Sequence, residues 1–129
     1  MKFCTAVNCM DGRVQLPVIE FLRRRFDAQY VDMITEPGPN LILAAGGDAG
    51  RVQSIFARCD ISVEKHGSLG IAVAGHHDCA GNPAGTREQL RHIEEAVKIL
   101  KRRYPHVEVI GLWLDENFNV HEVKAGGSG

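Results

Sequence analysis

Apolar and polar positions follow two different periods along this chain. Residues 3–9 are apolar and β-rich, the pattern of a central strand buried on both faces. Pro17 to Phe26 reads as a short helix, with Pro17 in its first turn and Ile19, Leu22 and Phe26 on one face. Gln29 to Thr35 predicts a second strand, in which Val31, Met33 and Thr35 alternate with Asp32 and Ile34. Pro37-Gly38-Pro39-Asn40 then breaks regular structure. Leu41 to Gly50, with glycines at 46, 47 and 50, is expected to form a close-packed loop opening a helix. It has neither the Walker lysine nor the dinucleotide-binding glycine spacing.

Val52, Ile55, Phe56, Cys59 and Val63 recur at helical spacing, up to a stop near Gly67. Leu69 to Ala74 is the third strand. Thr86-Arg-Glu-Gln89 has the form of a capping box and opens the longest helix. Leu90, Ile93, Val97 and Leu100 make that helix's apolar face, and Pro105 ends it. Val107 to Leu114 predicts a fourth strand, Asp115 to Asn117 a turn, and Phe118 to Val123 a short strand that pairs back.

The order β-α-β-α-β-α-β-β predicts an α/β fold. It has a mostly parallel four-stranded sheet with flanking helices and a short antiparallel fifth strand, a Rossmann-like three-layer arrangement. With the first strand central, the second lies on one side and the third on the other. The chain then reverses its winding direction between strands one and three. Ligands in such sheets bind at the carboxyl ends of the strands at that switch point. Cys9 ends the first strand, and His76 and Cys79 follow the third. Topology therefore draws these three residues into one crevice.

Composition narrows the functional classes. The 129 residues suit one domain, read as 1–124, with 125–129 as a flexible tail or expression remnant. Hydrophobic residues are 44%, charged residues 24%, and the formal net charge is −1, so no nucleic-acid partner is expected. The basic runs Arg23-Arg24-Arg25 and Lys101-Arg102-Arg103 fall at helix C-termini, where they complement the dipole. No apolar run is long enough to cross a membrane, and because the chain enters a strand-like run at once, no signal peptide is expected. Four cysteines in that setting point to a reducing, cytoplasmic compartment, where cysteine serves metal or catalysis more often than disulfides. Cys4 and Cys59 read as buried structural thiols. His66 reads as a helix cap, and His92, His106 and His121 as surface residues.

Thiolate and imidazole are the ligands zinc favours, and three protein ligands with an open fourth position are the catalytic arrangement. His76 and Cys79 can chelate from one turn, and Cys9 completes the set. His77 competes with His76, but neighbours on extended backbone point opposite ways, which favours His76. Asp11 and Arg13, two residues apart at a strand end, can form a charge-assisted pair that keeps the carboxylate ionised. These two are the candidate catalytic residues.

The sequence resembles the β-class carbonic anhydrases. Cys9-x-Asp11-x-Arg13 is similar to that family's first zinc motif, and His76-x-x-Cys79 to its second. Residues 62–76 resemble the helix and strand before the second motif, residues 111–120 the terminal hairpin, and Gly38-Pro39-Asn40 an Ala-Gly-Asn segment. The resemblance implies zinc on Cys9, His76 and Cys79, with water or Asp11 as the fourth ligand. It implies reversible hydration of carbon dioxide to bicarbonate by a zinc-bound hydroxide that Asp11, oriented by Arg13, positions. It also implies a homodimer. Two other functions stay open: a non-catalytic zinc-binding module, and a zinc hydrolase of another small heterocumulene. A cysteine redox protein is disfavoured because no C-x-x-C is present.

Overall fold

In a computed structural model, which describes residues 1–124, five strands form one sheet in the order β2-β1-β3-β4-β5. The strands are β1 (Phe3–Cys9), β2 (Tyr30–Glu36), β3 (Gly70–His76), β4 (Glu108–Leu114) and β5 (Val120–Val123). The helices are α1 (Gln15–Arg25), α2 (Pro39–Ala45), α3 (Ala49–His66) and α4 (Thr86–Arg103). β1 pairs in parallel with β2 and with β3, β3 in parallel with β4, and β5 alone runs antiparallel. This is the expected α/β fold with the expected switch point. The tail expected over 125–129 lies outside the described residues.

Two apolar layers sandwich the sheet. Val18 and Leu22 of α1, and Phe26 just after it, pack with Cys4, Ala6, Ala72, Ala74 and Leu112. Leu43, Ile55, Cys59, Ala96 and Leu100 of the other three helices pack with Val7, Ile71, Val73 and Val109. Residues 71–74 thus divide between the two faces in strict alternation, as the pleat requires. Cys4 and Cys59 are buried as expected, and burial pushes their thiols up to about 11 and about 12. Leu100 is fully buried between α4 and the sheet. Leu100→Ala is expected to cost about 2–5 kcal/mol of stability, read as a lower urea midpoint at unchanged slope.

Four local expectations need correction. The segment expected as a loop from Leu41 contains helix α2, which begins at Pro39. Proline is tolerated there because a first-turn residue needs no helical N–H bond. Gly38 enters from φ 65°, and Gly46 closes the helix at φ 70°. At Thr86 no side chain caps α4; its N-cap is Gly85 and Gln89 is buried instead. His92 is half-buried and its Nδ1 lies 3.0 Å from Asn82 Nδ2, so it is not simply solvated. The last strand begins at Val120, because Phe118 takes φ 59° in the turn before it.

Candidate metal centre and active site

Parallel neighbours present their carboxyl ends on one edge of a sheet. Cys9 is the last residue of β1 and His76 the last of β3. Cys79 follows in the loop beyond β3. The sulfurs of Cys9 and Cys79 are 3.8 Å apart. Ligand atoms of Cys9, His76 and Cys79 all lie within 4.8 Å of one another, and all three residues are at least 95% buried.

The histidine shows which atom is free to act. His76 Nδ1 lies 2.7 Å from the carbonyl of His77. A carbonyl can only accept, so the proton sits on Nδ1 and Nε2 carries a lone pair. Among the described residues, Nε2 is the buried side-chain atom that has no hydrogen-bond partner. An unpaired buried acceptor costs about 1–3 kcal/mol. A soft cation would satisfy it together with the two sulfurs, so the donor set fits zinc. His77, the competing ligand, is exposed, while its N–H donates to Leu114 O at 2.9 Å.

The two thiols titrate as a pair. The hydrogen bond from Cys79 outweighs the cost of burial and, with the neighbouring His76 ring and the backbone of Gly38 and Asp11, lowers the pKa of Cys9. The same contact and burial push Cys79 up. Burial disfavours imidazolium at His76, but the neighbouring Cys9 sulfur and the His77 carbonyl together raise its pKa. A metal that takes all three donors must therefore displace protons, and its affinity rises with pH.

Asp11 and Arg13 stand beside this cluster. Asp11 accepts the Arg13 backbone N–H at 2.8 Å and so caps the 3₁₀ turn Gly12–Val14. The Arg13 guanidinium donates to Asp11 Oδ1 at 3.1 Å from Nε and to Oδ2 at 2.7 Å from Nη2. Those side-chain bonds, against a smaller opposing effect of burial, hold the Asp11 carboxyl at about 2. Arg13 also reaches across to the second loop, donating to Asp78 O at 3.0 Å and to its carboxylate at 3.3 Å. The dyad thus ties the two strand-end loops together.

Several contributors were not read from the sequence. Asp78 adopts φ 58°, which turns the chain between His76 and Cys79. Gln15 donates to Cys9 O and Asp11 O, both at 2.8 Å, and holds the first loop. Asn8, fully buried, accepts the Cys9 N–H at 2.9 Å and donates to Val14 O at 3.1 Å. Phe118 lies under the Arg13 guanidinium, 4.7 Å from ring centroid to the guanidinium carbon, and 6.3 Å from the His76 ring. Only Asp78, inside the H-x-x-C spacing, carried a local signal.

The sequence and the fold have counterparts among known proteins. A family model described as "Putative carbonic anhydrase" matches residues 1–124. No curated protein matches the sequence. Among solved structures, the fold is similar to one of two tetrameric β-carbonic anhydrases from the filamentous ascomycete Sordaria macrospora. That match has a TM-score of 0.65 and 15% identity, and covers 95% of this chain and 80% of the other. It is also similar to the β-carbonic anhydrase CafA of Aspergillus fumigatus, with a TM-score of 0.61, 14% identity and coverage of 97% and 76%. The match over 1–124, with the shared five-stranded fold, places this chain in the carbonic anhydrase family.

Proposed function

We propose that this protein is a zinc-dependent lyase that reversibly hydrates carbon dioxide to bicarbonate. The observation that carries the proposal is the convergence of Cys9, His76 and Cys79 with an unpartnered Nε2 among them. The three residues would hold zinc through two sulfurs and one imidazole nitrogen. When bound, zinc supplies Lewis acidity that makes a water nucleophilic near neutral pH. Asp11 is ionised throughout the working range because Arg13 holds its carboxyl at about 2. It accepts a hydrogen bond from the attacking water and fixes its orientation. Arg13 keeps that carboxylate from rotating, with Asp78 gripping the guanidinium from the other loop. This division of labour makes Asp11 and Arg13 the catalytic pair.

The assembly we propose is a homodimer acting on a small molecule, in the cytoplasm, with residues 1–124 as one domain. Light scattering at micromolar concentration is expected to give twice the 14.2 kDa chain mass. A mass of one chain with zinc bound would overturn the dimer. Among the described residues no helix is long and apolar enough to cross a membrane.

Stopped-flow hydration of carbon dioxide by zinc-loaded protein tests the function. The rate should exceed buffer alone, rise between about pH 7 and 9 as a thiolate-ligated centre acidifies its water, and vanish on chelation. Zinc-replete protein at the buffer rate near pH 9 would reject the anhydrase and favour another substrate or a non-catalytic zinc module.

A further inference from the structure

Gln89, in the first turn of α4, is 1% exposed. Its Nε2 donates to the carbonyl of His76 at 2.9 Å and to that of Asn82 at 3.0 Å. These carbonyls flank the loop that carries Cys79. One carboxamide therefore closes that loop at both ends. Its Oε1 accepts from Asn40 Nδ2 of α2 at 3.2 Å, and Asn40 Oδ1 accepts from Asn82 Nδ2 at 3.3 Å. The amide is thus saturated and anchored to a second helix, as a buried polar network must be.

Packing leaves this clamp no play. A Cβ at Gly75, the residue before His76, would stand 2.5 Å from Asn40 Nδ2 and 2.8 Å from Gln89 Oε1. A Cβ at Gly81 would stand 2.4 Å from the carbonyl carbon of Pro37. The backbone before Cys79 is pressed against the network, and that after it against the Pro37–Gly38 backbone leading into α2.

Resting on the zinc reading above, the geometry points to Gln89 as a positioning residue that presets His76 and Cys79 for the metal. It touches neither donor atom. It acts through the backbone: fixing the His76 carbonyl fixes the His76–His77 peptide plane, and the next carbonyl along the chain, that of His77, orients the imidazole through Nδ1. A metal centre needs its ligands within about 0.5 Å of the bound geometry, and losing an outer support costs about 10–100-fold in affinity.

The test compares Gln89→Leu and Gln89→Glu with Leu100→Ala, a core truncation near the other end of α4. Glutamate keeps the shape, but its carboxylate cannot donate to two carbonyls. Zinc affinity is measured by competition with a chromophoric chelator, and ligand geometry by the visible spectrum of the cobalt(II)-substituted protein. Both Gln89 variants are expected to weaken zinc at least about tenfold and alter the cobalt spectrum. Leu100→Ala, although less stable, should stay within about twofold of wild type. Wild-type affinity and spectrum in folded Gln89 variants would overturn the proposal. So would an equal loss in Leu100→Ala, since the effect would then be general destabilisation.

A readout without metal separates this proposal from the zinc reading. In metal-free protein, amide hydrogen exchange over residues 77–82 should accelerate at least about tenfold in Gln89→Leu relative to Leu100→Ala. If wild-type protein binds no zinc, the zinc reading fails, whereas unchanged exchange in that loop overturns the clamp itself. Should both Gln89 variants fail to fold, Asn40→Ala removes the anchor of Oε1 and the acceptor of Asn82 Nδ2 but leaves both donor bonds of Gln89 Nε2 available. Several-fold weaker zinc binding is then expected, and wild-type affinity would overturn the proposal.

Discussion

Cys9→Ser is expected to reduce bound zinc from about one ion per chain to a small fraction, and carbon dioxide hydration to the buffer rate. Serine fits the space, so the fold should persist, but its hydroxyl is not a thiolate at neutral pH. Cys9 is one of two buried sulfurs, 3.8 Å apart, that this site offers a metal. Removing it leaves one sulfur and one nitrogen. The loss should exceed the roughly 10–100-fold that follows loss of an outer partner. Two controls fix the interpretation. Cys4→Ser alters a buried thiol raised to about 11 and should keep its zinc. His77→Ala alters an exposed side chain and should also keep it. Metal analysis after desalting reads all three. Full zinc in Cys9→Ser together with its loss in His77→Ala would show that the ligands are misassigned.

Arg13→Ala should lower kcat/KM for hydration by about 10–100-fold while zinc content stays near one per chain, because Arg13 supports Asp11 without donating to the metal. The charge of Asp11 is not what changes. Without Arg13 its carboxyl returns from about 2 toward the ordinary value near 3.9, which is still ionised at pH 7. Orientation is what changes, since the guanidinium bonds to both carboxylate oxygens disappear. The pH profile between about 6 and 9 should therefore keep its shape and lose its height. On the acid side the linkage has a definite sign. A depressed carboxyl contributes stability above its unfolded pKa and loses it as pH falls through the folded one. That contribution should fade between about pH 4 and 2 in the parent and be absent in Arg13→Ala. It should be small, since Arg13 is half-exposed. An Arg13→Ala protein with full activity would show that the dyad does not take part.

The sheet order and the candidate ligands were both legible because each depends on a short-range signal. Strand-length apolar runs and alternating helices imply parallel pairing, and parallel pairing puts Cys9 and His76 on one edge wherever the details fall. Extended backbone separated His76 from His77 by the same local rule. α2 was hidden by its own boundary residues. Two prolines and a glycine in Pro37-Gly38-Pro39 read as a break, although Pro39 occupies the helix position that tolerates it. Gln89 was misread for a related reason. Its spacing from Thr86 matches a capping box, and only the tertiary approach of β3 turns the carboxamide toward the His76 carbonyl. Asn40 is a buried polar residue whose partners, Asn82 and Gln89, are 42 and 49 positions away in sequence, beyond any window of local pattern. Phe118 reads as strand, yet it sits at positive φ under Arg13, where the cation and its ring favour the turn.

X-ray absorption at the zinc edge of the purified wild-type protein tests the central claim most directly, because it reads the donor atoms themselves. Cys9, His76 and Cys79 predict two sulfur scatterers at about 2.3 Å and an imidazole nitrogen at about 2.0–2.1 Å, with one further light donor. A zinc shell built only of nitrogen and oxygen, or with a single sulfur, would contradict the account.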